Sequence, residues 1–548
     1  MKIILSIFLI SITTIAFGQT ESVLETATKK GRNPIVITPP ITVIGTTPDA
    51  SPNPNISSDI KLPDLPTSNY DVSSILKNTS VKDSSKVDQN LNSIRFSLGT
   101  YYNSNLETNI INAKQNFGLS LQHNANQVGA TKDWNSKRYN NNIYLWTKLK
   151  PNEKLNFENS ITFQNLGTYF YGNENDAVIY LTKGNEITYD KWFYDGSLSN
   201  EEDESPFKWE ANIGANQLNG SQGLSEKNLT GSLDLKIPFS EGKYGITMNS
   251  QINKSIFSNS IANIDRSITN LQPTFFYKSS VYSIYGGINY VIESQFESKS
   301  HIFPKIEFNY QLSSQHQLAA GLTGDLQFNY FGSLIKENIY LTNKLSNFQN
   351  TKNPIQVYAI FKGGESKETS AYKYQVKLKY STFNNLPIFI NGKRDSERDP
   401  LFFNVEYIGN NSTVSNFQID AILYGKFNPE WSNTIYIKSD NYAGDIGYSN
   451  IILRPAVDLT NKINYNSNKW DFGMSIAYTG GLYGFQTKEN RVVKMDDIVL
   501  INLSGSYQFS PSFRAYSNFN NLLNQKYQRI INYREIGFNF NAGILYEF

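Results

Sequence analysis

The chain closes on Gly537-Phe538-Asn539-Phe540-Asn541-Ala542-Gly543-Ile544-Leu545-Tyr546-Glu547-Phe548, and this stretch decides the fold. Phe538, Phe540, Ala542, Ile544, Tyr546 and Phe548 share one parity. Gly537, Asn539, Asn541, Gly543 and Glu547 share the other, with Leu545 the exception. Successive side chains of a strand point to opposite faces, so this is a strand with one apolar and one wet face. The pattern recurs upstream. Phe472, Met474, Ile476 and Tyr478 alternate with polar or small residues, as do Ile306, Phe308 and Tyr310, and Val499, Ile501 and Leu503. Tyr372, Tyr374, Val376, Leu378 and Tyr380 alternate with Lys373, Gln375, Lys377 and Lys379. A soluble sandwich buries the apolar face under a second sheet. A membrane barrel turns that face to lipid and lines a wet lumen with the other. Alternation by itself allows both.

Composition and the N-terminus favour the barrel. The chain holds 34 Phe, 35 Tyr and 6 Trp, 14% aromatic, yet its mean hydropathy is low. Rings and polar residues must therefore interleave. Fifty basic residues against 48 acidic leave a net charge of +2, which provides no field for nucleic acid. There is no cysteine, which excludes disulfide scaffolds, thiolate metal sites and Cys nucleophiles, and with 3 His and 4 Met no resident cofactor is expected. Residues 1–18 read as a signal peptide: Lys2, an apolar run from Ile3 to Ile15, then Ala16-Phe17-Gly18. No later run is long and apolar enough for a membrane helix. Residues 19–93 read as a Pro-rich extended periplasmic tail. Within it Ile41-Thr42-Val43-Ile44 reads as a partner-binding segment that adds to a sheet edge, or as a piece that packs on its own barrel wall.

Residues 94–548 read as an antiparallel transmembrane β-barrel. Short turns (151–154, 240–243, 313–316, 428–430, 466–469, 510–512) contrast with long connections (171–206, 330–352, 485–495). Outer-membrane barrels show that asymmetry, with short periplasmic turns and longer outer loops. A strand with its connection takes roughly 20–25 residues, which predicts an even number of strands between about 18 and 22.

The ending Asn541, Gly543, Tyr546 and Phe548 resembles the insertion signal by which barrel-assembly machinery takes up outer-membrane proteins. With Asn521 to Tyr527 (NLLNQKY), Arg95 to Thr108 (RFSLGTYYNSNLET) and His301 to Leu312 (HIFPKIEFNYQL), the region from about residue 90 resembles the barrel of TonB-dependent receptors, of the short Bacteroidota type. The resemblance implies an outer-membrane location among lipids and lipopolysaccharide. Members carry a folded plug ahead of the barrel. Here the preceding residues show no plug-like strand–helix pattern, and Ile41-Thr42-Val43-Ile44 matches an energy-coupling segment poorly.

The expected role is thus a non-enzymatic, plugless barrel acting as a subunit or scaffold of an outer-membrane complex, such as a barrel-assembly or surface-export machinery, beside other outer-membrane or surface lipoprotein subunits. A wide barrel leaks unless something occludes it: the tail, infolded loops or a partner. The alternative is a solute channel or uptake receptor gated by the tail or another protein. An enzyme would need a Ser, His and acid cluster at the rim; His123, His301 and His316 read as solvated polar residues. Glu201-Glu202-Asp203-Glu204 reads as a solvated turn. Trp146, Trp192, Trp209, Trp431 and Trp470 read as interfacial girdles, with Trp192 also a sugar-binding candidate in the long loop 171–206.

Overall fold

The computed structural model describes residues 92–128, 136–152, 154–172, 186–200, 207–295, 297–366, 370–392, 401–410, 412–444, 454–486 and 491–548. The signal sequence, the tail with Ile41, Thr42, Val43 and Ile44, and the acidic run 201–204 lie outside the described residues.

Twenty-two strands form one antiparallel sheet. Each pairs with the next along the ring, from Ser93–Gly99 to Asn539–Glu547. These two strands then pair with each other, Ser93 opposite Glu547 through to Gly99 opposite Asn541, and the ring closes. Closure leaves no unpaired edge, the condition for backbone to cross hydrocarbon.

The two faces sort as the alternation requires. Along Tyr244–Ser258, Ile246, Ile252 and Ile256 are exposed while Asn253 and Ser255 are buried. Along Ser298–Ser313, Ile302 is 68% exposed, and Ile306, Phe308 and Tyr310 share its face. Among the described residues no second sheet covers these side chains. A closed cylinder clad in exposed Ile, Leu and Phe is stable only in lipid, which settles the sandwich alternative. Among the described residues no helix is long and apolar enough to cross a membrane. The chain crosses with strands, as an outer-membrane barrel does.

The two ends differ. One carries connections such as 240–243, 314–315, 427–430, 467–469 and 511–512. Three consecutive residues there, Ser240, Glu241 and Gly242, hold positive φ (50°, 59° and 83°), which compresses the reversal into one turn. Both barrel termini meet at this end, where the Phe548 N–H donates to the Asn92 carbonyl at 3.0 Å. An aromatic belt surrounds it. Trp431 packs on Tyr465 and Trp470 on Tyr507, with centroids 4.9 and 4.5 Å apart, and Tyr244, Tyr277, Tyr282, Phe308 and Tyr310 extend the belt. Amphipathic rings collect at a membrane boundary.

The other end carries the long connections 127–137, 170–185, 328–350, 384–413, 444–456, 481–497 and 521–538. One expectation fails here. Residues 171–206 are not one loop, because Glu186–Asn200 is a full barrel strand. Trp192 sits on its outward face, not in a loop. Trp146 also departs from the girdle reading: it points inward, 7% exposed, with its indole over Gly118 of the neighbouring strand.

Candidate functional site: a lid built from the long connections

At the long-connection end the wall reverses its polarity. Ile187, Tyr189, Leu218, Leu224, Phe257 and Ile264 point inward near the strand ends and are buried. They are covered by other connections. Segment 328–350, with the short helix Phe331–Glu337, contributes Phe331, Leu334 and Phe348. Segment 384–413, with the hairpin Leu386–Asn391/Phe403–Ile408, contributes Phe389, Leu401 and Phe403. Segment 521–538 contributes Ile531 and Tyr533. The wall residues belong to the sixth to tenth strands, whereas the three segments spring from the rim after the thirteenth, fifteenth and twenty-first. These points are spread around a cylinder roughly 40 Å across. One apolar cluster touching all of them must reach across the mouth. The infolded loops therefore extend over the mouth from several sides of the rim.

Buried polar groups fix this lid to the wall. Glu226, 1% exposed, accepts the N–H groups of Phe331 and Gly332 at 2.8 and 2.7 Å, and so caps the helix from the wall. Arg266, 3% exposed, donates to the Asn329 carbonyl at 2.6 Å and to Asn350 Oδ1, with its guanidinium over Phe328 and Phe348. Asn350 donates in turn to Glu293 at 2.7 Å, whose other oxygen meets His301 Nε2 at 2.9 Å. Arg454, from the connection 444–456, reaches Glu337 at 2.9 Å.

A knot of tyrosines joins the segments to one another. The Tyr340 and Tyr533 rings stack with centroids 3.5 Å apart, and Tyr171 meets Tyr533 edge-on at 5.0 Å. The Tyr171 hydroxyl donates to the Arg534 carbonyl at 2.8 Å, and that of Tyr533 to the Leu401 carbonyl. Arg138 pairs with Glu535 at 2.8 Å beside them. Burial pushes the Tyr340 phenol up to about 12 and raises that of Tyr171 well above its ordinary value.

Below the lid, the wall between Arg138–Asn152 and Tyr244–Ser258 holds a concavity of about 510 Å³, lined by Tyr144, Trp146, Glu158, Asp195, Asn212 and Thr230. Among the described residues no group of three or more His, Asp or Glu stands close enough to hold a metal ion.

The residues singled out in the sequence fall elsewhere. Asn541, Gly543 and Tyr546 lie on the last strand, and Phe548 follows it. A Cβ on Gly543 would land on the Phe96 carbonyl of the first strand, so the closing seam demands glycine there. His301 joins the lid anchor, His316 contacts Tyr374 at 2.9 Å at the short-turn end, and His123 lies on the outward face of Phe117–Asn126. Sequence reasoning missed Glu226, Arg266, Glu293, Tyr340 and Tyr533. The available signal was local: inward parity positions near the strand ends turn apolar (Ile187, Tyr189, Leu224), and single charges follow at Glu226 and Arg266.

No family model and no curated protein matches the chain. Solved structures do. The FrpB iron transporter from Neisseria meningitidis superposes with a TM-score of 0.62 at 8% identity, covering 84% of this chain and 82% of that one. FpvA of P. aeruginosa, bound to heterologous pyoverdines, gives 0.61 at 10% identity over 83% and 71%. The copper transporter OprC gives 0.59 at 9% identity over 83% and 80%. The chain shares the barrel fold of these three proteins. Identities this low establish shared architecture, and shared architecture does not carry function with it.

Proposed function

We propose that this outer-membrane barrel is a subunit or scaffold of a multiprotein outer-membrane complex and not a free passage for solutes. The observation that carries the reading is the lid. Its helix is capped by a buried wall carboxylate, Glu226, and its segments are cross-tied by Arg266, Arg138–Glu535 and Arg454–Glu337. A gate that opens on each transport cycle would have to strip Glu226 and Arg266 of their partners while both stay buried in the wall, at a cost of several kcal/mol, whereas the partly exposed pairs Arg138–Glu535 and Arg454–Glu337 add little. In this reading residues 1–18 are a cleaved leader and 19–93 a plugless, extended periplasmic tail of the Bacteroidota type. Ile41–Ile44 then engages a periplasmic or lipoprotein partner, and Asn541, Gly543, Tyr546 and Phe548 present the last strand to barrel-assembly machinery. The girdled wall sits among outer-membrane lipids and lipopolysaccharide.

Affinity purification of the full chain in a mild detergent tests the proposal. Stoichiometric companion proteins are expected; recovery of the barrel alone, from cells expressing it at its natural level, contradicts it. A second reading is an uptake receptor. It draws on the iron and copper transporters among the structural neighbours and on the concavity at Tyr144, Trp146 and Asp195. Growth that depends on the barrel with a single scarce nutrient would favour that reading.

A further inference from the structure

On the outward face, near the lid end, one row of side chains runs across five adjacent strands. His123 lies opposite Asn141, Asn141 opposite Asn165, and Asn165 opposite Asp190. Ser104, diagonal to His123 on the next strand, completes it. The Ser104 hydroxyl lies 3.2 Å from His123 Nε2, and His123 Nδ1 lies 2.6 Å from Asn141 Oδ1. Asn141 donates to Asn165 at 3.1 Å, and Asn165 to Asp190 at 2.6 Å. The amide oxygen facing Nδ1 can only accept, so Nδ1 carries the proton and Nε2 is left as a base toward the hydroxyl. Every donor in the row then points the same way, toward the Asp190 carboxylate.

This is the arrangement of an activated serine: a hydroxyl on one ring nitrogen, and an orienting group on the other. Chain order is irrelevant to that geometry. The sequence reading placed His123 on a solvated face because Ser104, His123 and Asn141 share no motif, and only strand register unites them.

Location selects the substrate. Leu98 stands opposite Ser104 in the register and is 57% exposed; Leu106 and Ile143, on the same outward face, are exposed as well. This surface is continuous with the lipid-facing wall, so the molecule against it is a membrane lipid whose chains lie on these side chains. Its ester linkages, at the boundary between chain and head group, fall at the polar row. Tyr101 and Tyr102 in the turn just before Ser104 hold left-handed φ of 60° and 48°. Strained non-glycine backbone of this kind collects at functional sites.

We infer that Ser104, His123 and Asn141 form a lipid ester hydrolase site on the outer wall of the barrel. The Ser104 Oγ attacks the ester carbonyl while His123 Nε2 takes its proton. The acyl carbon–alkoxy oxygen bond then breaks, and the proton passes to the departing alcohol. Water, deprotonated by the same nitrogen, releases the fatty acid and restores the serine. Asn141 is a positioning residue that holds the tautomer, and Asn165 and Asp190 orient it. The inference is independent of the lid and of any complex.

The test uses the full chain in detergent–phospholipid mixed micelles. A fluorophosphonate probe should label Ser104, and fatty acid should be released from phosphatidylcholine. Ser104→Ala should abolish both, and His123→Ala should lower release by roughly 10²–10⁴-fold. Asn141→Ala should lower kcat and displace the pH–rate profile with KM little changed, and Asn141→Asp should restore much of the rate. Retained heat-modifiable mobility on gels confirms that each variant is folded. Absence of labelling and release in the folded wild type, or release that survives Ser104→Ala, overturns the assignment and leaves the row a hydrogen-bonded belt at the membrane boundary.

Discussion

Glu226 shows how much one side chain decides in this barrel. Its carboxylate has left water to meet two N–H groups at the start of the helix Phe331–Glu337. Replacing it with Ala leaves those donors, and the buried wall around them, unmatched. The expected cost is roughly 1–3 kcal/mol for each donor left unpaired, concentrated in the lid and not in the barrel. Limited trypsin digestion should therefore cut Glu226→Ala within 328–350 while the wall stays intact; protection equal to that of the wild type would remove Glu226 from the account. The tyrosine knot gives a second test at this scale. Burial holds the Tyr340 phenol at about 12, whereas an unfolded tyrosine titrates near 10. Between these values the open lid has lost a proton that the closed lid keeps, so the stability of the closed form is intact below pH 10 and falls as pH rises. Tyrosinate absorbance should show a class titrating near 12 that moves toward 10 in Tyr533→Ala; a single step near 10 in the wild type would contradict the packing.

At the scale of elements, the strands are uneven. Those flanking the seam are short: Ser93–Gly99 has 7 residues, Phe513–Asn520 has 8 and Asn539–Glu547 has 9. Leu224–Phe239 and Asn263–Lys278 on the far wall have 16 each. Fewer ladder bonds lower the cost of local opening, so amide exchange should proceed at the seam well before the far wall. Uniform protection around the ring would show that the seam is not the weak line. The same elements show what the sequence could reveal. Asn539–Glu547 was legible because its outward face is apolar from end to end and its inward face polar. Glu186–Asn200 was not. Ile187 and Tyr189 turn inward beneath the lid while Thr188 and Asp190 face out, which inverts the expected alternation where the strand leaves the hydrocarbon level. The period survives there, but its sign depends on loops far away in sequence.

For the whole molecule, the cylinder, its orientation by turn length and its girdle at Trp431 and Trp470 follow from local pattern. The lid does not, because its residues lie on five connections, 170–185, 328–350, 384–413, 444–456 and 521–538, whose meeting depends on closure of the ring. Ser104, His123 and Asn141 were hidden for the same reason. A barrel of 22 strands is wide enough to pass solutes unless it is filled. A non-conducting role requires that its own loops fill the outer mouth and stay there. Planar-bilayer recording on the purified full chain tests this most directly, with a variant lacking 331–349 as the comparison. The wild type should show no open-channel current and the deletion should conduct in large steps. Steady large conductance from the wild type, equal to that of the deletion, would contradict a non-conducting role.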